Sequence, residues 1–499
     1  MQDNIEKTES QPDSTRLPHP LVSLVPALVL VGLLLLSNLL FEGDTLGGSS
    51  QLSLLVSAGV CIGLSMAVYK TRWQVFESAL KTTFSDTSVS LVVLLLIGMM
   101  AAAWMVSGVV PTLIYYGIQI LSPRFFLVAS CVICAVVSLL TGSSWSTIAT
   151  IGVALLGVGK AIGVPVSWSA GAIISGAYFG DKISPLSDTT ILASSCTGTD
   201  LFSHIHYMLF TTVPSFVLTL TVFLCVGLAL AGSGQVDVTA YLDGLQHTYH
   251  ISLWTLLVPV ITTWLIVKRL NALITLFLSA LIAGVFALVF QPHILTAIAC
   301  GGEVAGVGSA GELVRGLMTT FFASTSVQTG FDGLDSLVRT GGMSGMLNTV
   351  WLIMCAFCFG SAMVASGMLR GLLVSLVRII KGTFGLVAST VVTGVVMNLT
   401  TGDQYMSIIL TTNFFRDIYK EKGFESRLLS RTTEDAVTVT SVLIPWNSCG
   451  MTQATVLGVS TLTYLPTCIF NLASPLMSML VAAIGWRITR ESTVVERPK

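Results

Sequence analysis

Charge is what this 499-residue sequence has least of: Asp, Glu, Lys and Arg make up 10% of it, against roughly a quarter of an ordinary soluble domain. The 24 basic and 25 acidic residues nearly cancel, at a net charge of -1. No basic excess exists to displace counterions from phosphates, which excludes a nucleic-acid binder. A hydrophobic fraction of 53% excludes disorder, and so little charge cannot cover a water-facing surface. Period-two alternation between turn clusters, the mark of a membrane β-barrel, is missing. So is a P-loop, so ATP does not drive the protein. There is no metal cluster or nucleophile–base pair of the kind a membrane enzyme needs, and nothing calls for a cofactor. What remains is an all-α polytopic membrane protein.

Ten cysteines lie almost entirely in apolar runs. Cys131/Cys134 and Cys355/Cys358 have CxxC spacing, but no second pair or His stands at ligand distance, so they read as packing residues. His19, His204, His206, His247, His250 and His293 fall at or beyond the expected membrane edges and read as interfacial or solvated. Residues 1–20, with Lys7 and Arg16, form a polar tail; no cleavage site clearly follows the first apolar run, which reads as a retained helix.

A spanning helix needs about 20 mostly apolar residues. The first runs are Leu21–Phe41 and Gln51–Tyr69. Trp73–Phe84, carrying Glu77 and Lys81, reads as a short interfacial helix, followed by a span near Leu91–Gly108 that Pro111 breaks or bends. The charge-free run Phe125–Gly159 has two short arms around Thr141-Gly142-Ser143-Ser144-Trp145-Ser146-Thr147, the pattern of a re-entrant hairpin over 125–162. Irregular backbone at membrane depth survives only where protein or a watery cavity satisfies it. Segment 166–200 is an apolar helix that runs into Asp181-Lys182-Ile183-Ser184-Pro185-Leu186-Ser187-Asp188-Thr189-Thr190, a broken helix. A span over Tyr207–Ala231 completes residues 21–231, and 232–250 is an external loop. The pattern restarts over 251–486. Spans at Ile251–Val267 and Ala272–Phe290 precede a Gly-rich loop with Glu303, Glu312 and Arg315. After the span Gly345–Gly367 come a hairpin at 383–416 with the tip Thr400-Thr401-Gly402-Asp403-Gln404, a broken helix at 432–457 around Ile444-Pro445-Trp446-Asn447-Ser448, and one last span. Residues 487–499 are a second tail.

The halves align. Ser107-Gly108 matches Ser366-Gly367, and Leu127-Val128-Ala129-Ser130 matches Leu386-Val387-Ala388-Ser389, at an offset of 259. Thr141-Gly142 matches Thr401-Gly402 and Pro185 matches Pro445, at 260. Four matches in order indicate an internal repeat. Cytoplasmic flanks are rich in Lys and Arg. Arg370, Arg378, Lys381, Arg416, Lys420, Lys422, Arg427 and Arg431 flank the second hairpin, whereas the first has only Arg124 and Lys160. The second hairpin should therefore enter from the cytoplasm and the first from outside: an inverted repeat, each half with five spans plus one hairpin, and both termini cytoplasmic. Lys70, Arg72, Lys268 and Arg269 fall inside under this orientation, while Arg315 and Arg339 fall outside, against the trend. Inverted repeats with discontinuous helices are a design of secondary transporters, with the site between repeats near the midplane.

The informative carboxylates sit in otherwise uncharged stretches: Asp181, Asp188, Asp403, Glu434 and Asp435. A charge at membrane depth costs about 2.5–3.5 kcal/mol on insertion scales, so a cation, a proton or a cavity must compensate it. One such group holds Na⁺ or a proton, not both well, which is the minimal physics of antiport. Asp188 with Ser184, Ser187, Thr189 and Thr190 offers five oxygen-bearing side chains within seven residues, and hard cations want oxygen ligands. The plainer alternatives are an interfacial Asp181–Lys182 pair, Asp188 as a helix N-cap, and Glu434 and Asp435 solvated at a cytoplasmic mouth. Asp181, Asp188 and Asp403 lead as Na⁺ ligands; Thr141, Ser143, Ser144, Trp145, Thr401, Gln404, Trp446, Asn447 and Ser448 would line the site.

The run Gly176-Ala177-Tyr178-Phe179-Gly180-Asp181-Lys182-Ile183-Ser184-Pro185-Leu186-Ser187-Asp188-Thr189-Thr190, with Gly198-Thr199-Asp200-Leu201-Phe202-Ser203-His204-Ile205 after it, resembles the signature of the NhaC family of Na⁺/H⁺ antiporters. The resemblance implies paired re-entrant hairpins and broken helices, an elevator-like motion, frequent homodimers, and a Na⁺/H⁺ antiporter of the bacterial inner membrane with Na⁺ and H⁺ as its transported partners. It leaves a second substrate class open, since the same family includes malate–lactate exchangers and amino-acid carriers. An organic anion would need a cationic or dipolar partner, for which Lys182 and half-helix N-termini could serve.

Overall fold

The computed structural model describes residues 18–41, 48–230, 239–268, 270–301, 306–327, 335, 338–377, 382–488 and 490. Most of both expected tails, and Glu303, Arg269, Arg378 and Lys381, lie outside the described residues. Among those described the chain is helical, and strand-like pairing is limited to two isolated bridges, Thr325 to Thr340 and Phe424 to Arg490. Seven helices are long and apolar enough to cross a membrane, or up to nine if each of two bent pairs is one span. Large apolar side chains such as Leu35, Leu39, Val217 and Leu480 stand exposed along them, as a lipid-facing surface requires.

Trp73–Val106 is one continuous 34-residue helix, so Trp73–Phe84 is not a separate interfacial piece. At 1.5 Å per residue it runs about 51 Å, well beyond a hydrocarbon core of about 30 Å. Its first turns project past that core, and Glu77 and Lys81 pair there at 2.6 Å. The helix stops at Val106 and the chain turns at Gly108, in the left-handed conformation at φ +83°, where the expected span ends; the break lies there and not at Pro111. Pro111 lies in the first turn of Val109–Ile120, where a helix has no partner for its N–H groups. The stretch 232–250 contains a helix, Thr239–Thr248; its part Tyr241–Thr248 is bent 88° from Leu253–Ile266.

In both stretches read as hairpins two helices meet at a glycine, though Gly382–Thr401 is itself long and apolar enough to cross a membrane, and similar bonds recur in them, most at an offset of 260 residues. The first arm, Phe126–Thr141 or Gly382–Thr401, ends at a glycine with φ +67°, Gly142 or Gly402. The next side chain caps the second arm: Ser143 accepts from the Ser146 N–H at 3.2 Å and Asp403 from the Met406 N–H at 3.0 Å. Thr141 meets the Thr147 hydroxyl at 3.3 Å, and Thr401 meets Ser407 at 2.8 Å. Ser138 donates to the Ala177 carbonyl at 2.6 Å, and Asn398 to Val437 at 2.7 Å. The freed carbonyl of Leu139 is taken by the Ser184 hydroxyl at 2.8 Å, and that of Leu399 by the Trp446 indole at 2.8 Å. Each hairpin is thus sewn to the broken helix of its own half.

The halves also exchange elements. The second part of the first broken helix, Asp188–Thr197, packs on Gln404–Glu421 of hairpin 2. Its counterpart Ser448–Leu457 packs on Ile148–Gly152 of hairpin 1. The hairpin bases lie at opposite ends of the helix Leu201–Leu230. Gly227 lies against the Arg124 carbonyl at the base of hairpin 1. At the other end, Arg427, just beyond hairpin 2, stacks 5.0 Å over the Tyr207 ring, whose hydroxyl donates to the Arg487 carbonyl at 2.6 Å. Tyr207 and Gly227 are separated by about 30 Å of helix.

Lipid tails are as apolar as Leu, so helices pack in a membrane by close approach at small residues. Val166–Ile183 does so on Phe126–Thr141: a Cβ at Gly176 would collide with the Cys131 carbonyl, and one at Gly180 would stand 2.7 Å from the Leu139 nitrogen. Gly180→Leu is therefore expected to lower stability by about 1–3 kcal/mol or more through overpacking. Thermal unfolding in detergent checks this, and an unchanged midpoint would contradict the close approach.

Candidate cation site

The two tips and two breaks gather the polar residues expected of a site. Asp181 sits in the last turn before the first break and is buried; it accepts from the Ser144 N–H at 3.1 Å and the Ser144 hydroxyl at 2.7 Å, at the tip of hairpin 1. Asp403 is itself the tip of hairpin 2. It is buried, caps its helix, and accepts from the Ser448 hydroxyl at 3.1 Å, across the second break. Ser448 begins the half-helix after that break, as Asp188 begins the one after the first. Ser143 and Asp188 thus stand where the repeat puts Asp403 and Ser448: acid and hydroxyl have changed places between the halves.

Asp188 is exposed and lies in the first turn of its helix. The cap position belongs to Ser187, which makes no side-chain cap bond, so Asp188 is not the N-cap. Its carboxylate gains from the helix dipole instead. The hydroxyls around it are partly committed: Ser184 to Leu139, Thr190 to the Lys182 carbonyl at 3.0 Å, and Ser187 to Thr189 at 3.1 Å. In the second break Asn447 caps Ser448–Leu457 by accepting from the Cys449 N–H at 3.1 Å, and Gln404 accepts from the Cys449 thiol at 2.6 Å. Trp145 and Trp446 are half-buried beside these elements.

Four expectations or alternatives are corrected. Glu434 and Asp435 are fully buried, on the π-helical turn Glu434–Thr438, and not solvated at a mouth. Arg431, counted as a cytoplasmic flank, is also fully buried, 4.8 Å over the Tyr207 ring. His204 is buried too, its Nδ1 2.6 Å from the Ser430 hydroxyl, because the hairpin 2 side covers the start of its helix. Asp181 and Lys182 are not a pair: Asp181 turns to hairpin 1, whereas Lys182 is ion-paired with Asp435. Thr211 at 3.1 Å and Ser474 at 3.3 Å also donate to Asp435, and the Arg431 Nε stands 3.8 Å from it. Sequence reading missed this network, since partners 253 residues apart carry no local signal. A lone Lys beside uncharged helix was the available hint.

Among the described residues no group of three or more His, Cys, Asp or Glu could hold a metal ion. The oxygens at the tips, two of them from buried carboxylates, suit a monovalent hard cation held in transit.

The Na⁺/H⁺ antiporter family model matches residues 14–195 and 176–486, two stretches that overlap across the first break. The chain is 37% identical over 428 residues to a Na⁺/H⁺ antiporter NhaC of Alkalihalophilus pseudofirmus, covering 86% of this chain and 89% of that one. It is 32% identical over 418 residues to a malate-2H⁺/Na⁺-lactate antiporter of Bacillus subtilis, covering 83% and 85%. It is 33% identical over 400 residues to an arginine/ornithine antiporter, ArcD, of Halobacterium salinarum, covering 79% of each.

Proposed function

The chain belongs to the Na⁺/H⁺ antiporter family, and we propose that it exports Na⁺ in exchange for H⁺ across a bacterial inner membrane, by alternating access around the two hairpin tips. The observation that carries this reading is the pair of buried carboxylates, Asp181 and Asp403, each hydrogen-bonded by a serine across a tip–break contact. With Asp188 they hold the cation, aided by Ser143, Ser144, Gln404 and Ser448. Hairpin bases at opposite ends of Leu201–Leu230 support an inverted repeat, with both termini cytoplasmic. No cofactor enters this account.

A second reading has a specific support. Arg431 is buried with guanidinium nitrogens that make no hydrogen bond, and an organic carboxylate would satisfy them. Relatives named for malate, lactate, arginine and ornithine exchange point the same way. Proteoliposomes with an imposed pH gradient separate the two. Collapse of the gradient on adding Na⁺ alone is the expected result; a requirement for an organic acid or amino acid would favour the second reading, and no flux of either kind would overturn both. Asp188→Asn is expected to abolish exchange while leaving membrane insertion intact; near-normal exchange would remove Asp188 from the site.

A further inference from the structure

Four carboxyl groups are buried around the two breaks, and three have donors. Asp181 has Ser144, Asp403 has Met406 and Ser448, and Asp435 has Lys182, Thr211 and Ser474. Glu434 is the fourth. It is fully buried, and neither of its oxygens meets a donor among the described residues. Thr438, one turn on, faces it without closing a hydrogen bond. Lys182 also faces it but is ion-paired with Asp435, and Arg431, over the Tyr207 ring, donates no hydrogen bond to it. A negative charge on Glu434 would be buried with no hydrogen-bond donor, at heavy cost.

The backbone is rewound at the same place. Glu434–Thr438 is one of two π-helical turns among the described residues, the other being Ile148–Gly152, and such turns are frequent at functional sites. Its surroundings are held by two amides, Asn398 donating to the Val437 carbonyl at 2.7 Å and Asn471 to Val439 at 2.8 Å. The repeat places Ile174, in regular helix, at the position equivalent to Glu434. The acid is therefore an addition to one half and not a demand of the fold.

The charged neighbours are few. Asp181 and Lys182 face Glu434 from Val166–Ile183, and Asp435 and Arg431 flank it on its own segment. Gly382–Thr401 and Ile469–Ile484, which pack on this turn, carry no ionisable side chain. Asp188–Thr197 brings Asp188 and Cys196 at its two ends. Gln404–Glu421 brings Tyr405 at one end and Arg416, Asp417, Tyr419, Lys420 and Glu421 at the other.

We propose that Glu434 carries the exchanged proton, on a carboxyl separate from the cation site at the hairpin tips. The inference rests on the antiporter reading above. On release the O–H bond breaks, the proton passes to water on the open side, and its electron pair stays on the carboxylate. Lys182 then faces two acids, Glu434 and Asp435. Lys182 adjoins Asp181 of the tip site, so it links proton release to cation occupancy.

The test uses purified full-length protein in proteoliposomes. Glu434→Gln is expected to lose Na⁺-triggered collapse of a pH gradient while keeping Na⁺–Na⁺ counterflow, read with radioactive sodium. Retention of both activities, or loss of both in protein that unfolds at the wild-type temperature, would overturn the proposal. Wild-type protein with no Na⁺/H⁺ exchange would instead overturn the antiporter reading itself. If Glu434→Gln does not fold, infrared difference spectra of the wild type and Glu434→Asp decide. A buried carboxylic-acid band that moves in Glu434→Asp is expected, and no such band, or one the variant leaves unmoved, overturns the assignment.

Discussion

Lys182→Met will destabilise the protein by about 3–5 kcal/mol, the usual penalty for removing one partner of a buried ion pair. Lys182 and Asp435 are both fully buried. Without Lys182, Asp435 keeps the Thr211 and Ser474 hydroxyls and an Arg431 Nε at 3.8 Å, too little to hold a full charge away from water. Methionine fills most of the lysine volume, so the loss reads as electrostatic and not as a cavity. Adding Asp435→Asn removes the stranded charge, and the double variant should recover much of the deficit, because a neutral pair of similar shape often matches a buried salt bridge. Thermal unfolding of both singles and the double in detergent measures the coupling. Singles no worse than surface substitutions, or a double no better than Lys182→Met, would show that the pair does not hold the two broken helices together.

The second large effect is on transport. Asp403→Asn and Asp181→Asn keep the side-chain shape. Asp181 takes both Ser144 bonds on one oxygen, which the amide retains. At Asp403 the amide oxygen keeps the Met406 cap while its nitrogen donates to the Ser448 hydroxyl, so the tips stay closed on their breaks. What goes is the charge. A carboxylate 4 Å from a monovalent cation contributes about 4 kcal/mol at an effective dielectric near 20, which is about a thousandfold in a binding constant. Na⁺-dependent flux through either variant is expected to fall at least about a hundredfold on that scale. Ser448→Ala, which removes only a hydrogen bond worth about 0.5–1.5 kcal/mol net, should cost far less. Sodium uptake into proteoliposomes at matched protein density gives the comparison. Asn variants that transport as well as Ser448→Ala would move the cation elsewhere.

Elements whose cause is local were legible in the sequence. Gly142 and Gly402 end their arms in a left-handed turn that glycine favours, and Pro185 and Pro445 lie in the breaks between their half-helices. The paired tips and breaks therefore showed as a repeat before any coordinates. The end of the span near Gly108 was legible, but the break itself was assigned to Pro111, because proline is the louder signal, though harmless in a first turn. Charge deceived in a different way. Glu77 and Lys81 read as an interfacial segment because composition does not show that their helix continues unbroken beyond the membrane. Arg431 read as part of a solvated basic flank, and Glu434 and Asp435 stood between a site and a solvated mouth, because all three adjoin a basic loop in sequence. Their burial follows from Lys182, Tyr207 and Ser474, which fold onto them from elements far along the chain. The exchange of acid and hydroxyl between Ser143/Asp188 and Asp403/Ser448 was implicit in the offset of 260, but it gained meaning only once Asp403 and Ser448 were seen to meet across a tip–break contact.

Two halves facing opposite ways around a shared polar centre is the claim on which the transport account stands, and sidedness of labelling tests it most directly. Ser122 and Glu421 are exposed at the bases of hairpins 1 and 2. In a cysteine-free background, Ser122→Cys and Glu421→Cys are treated with a membrane-impermeant thiol reagent in oriented vesicles. Labelling of Glu421→Cys from the cytoplasmic side alone, and of Ser122→Cys from the opposite side alone, is the expected result. Both positions labelled from one side would mean that the halves point the same way, and the alternating-access account would be wrong.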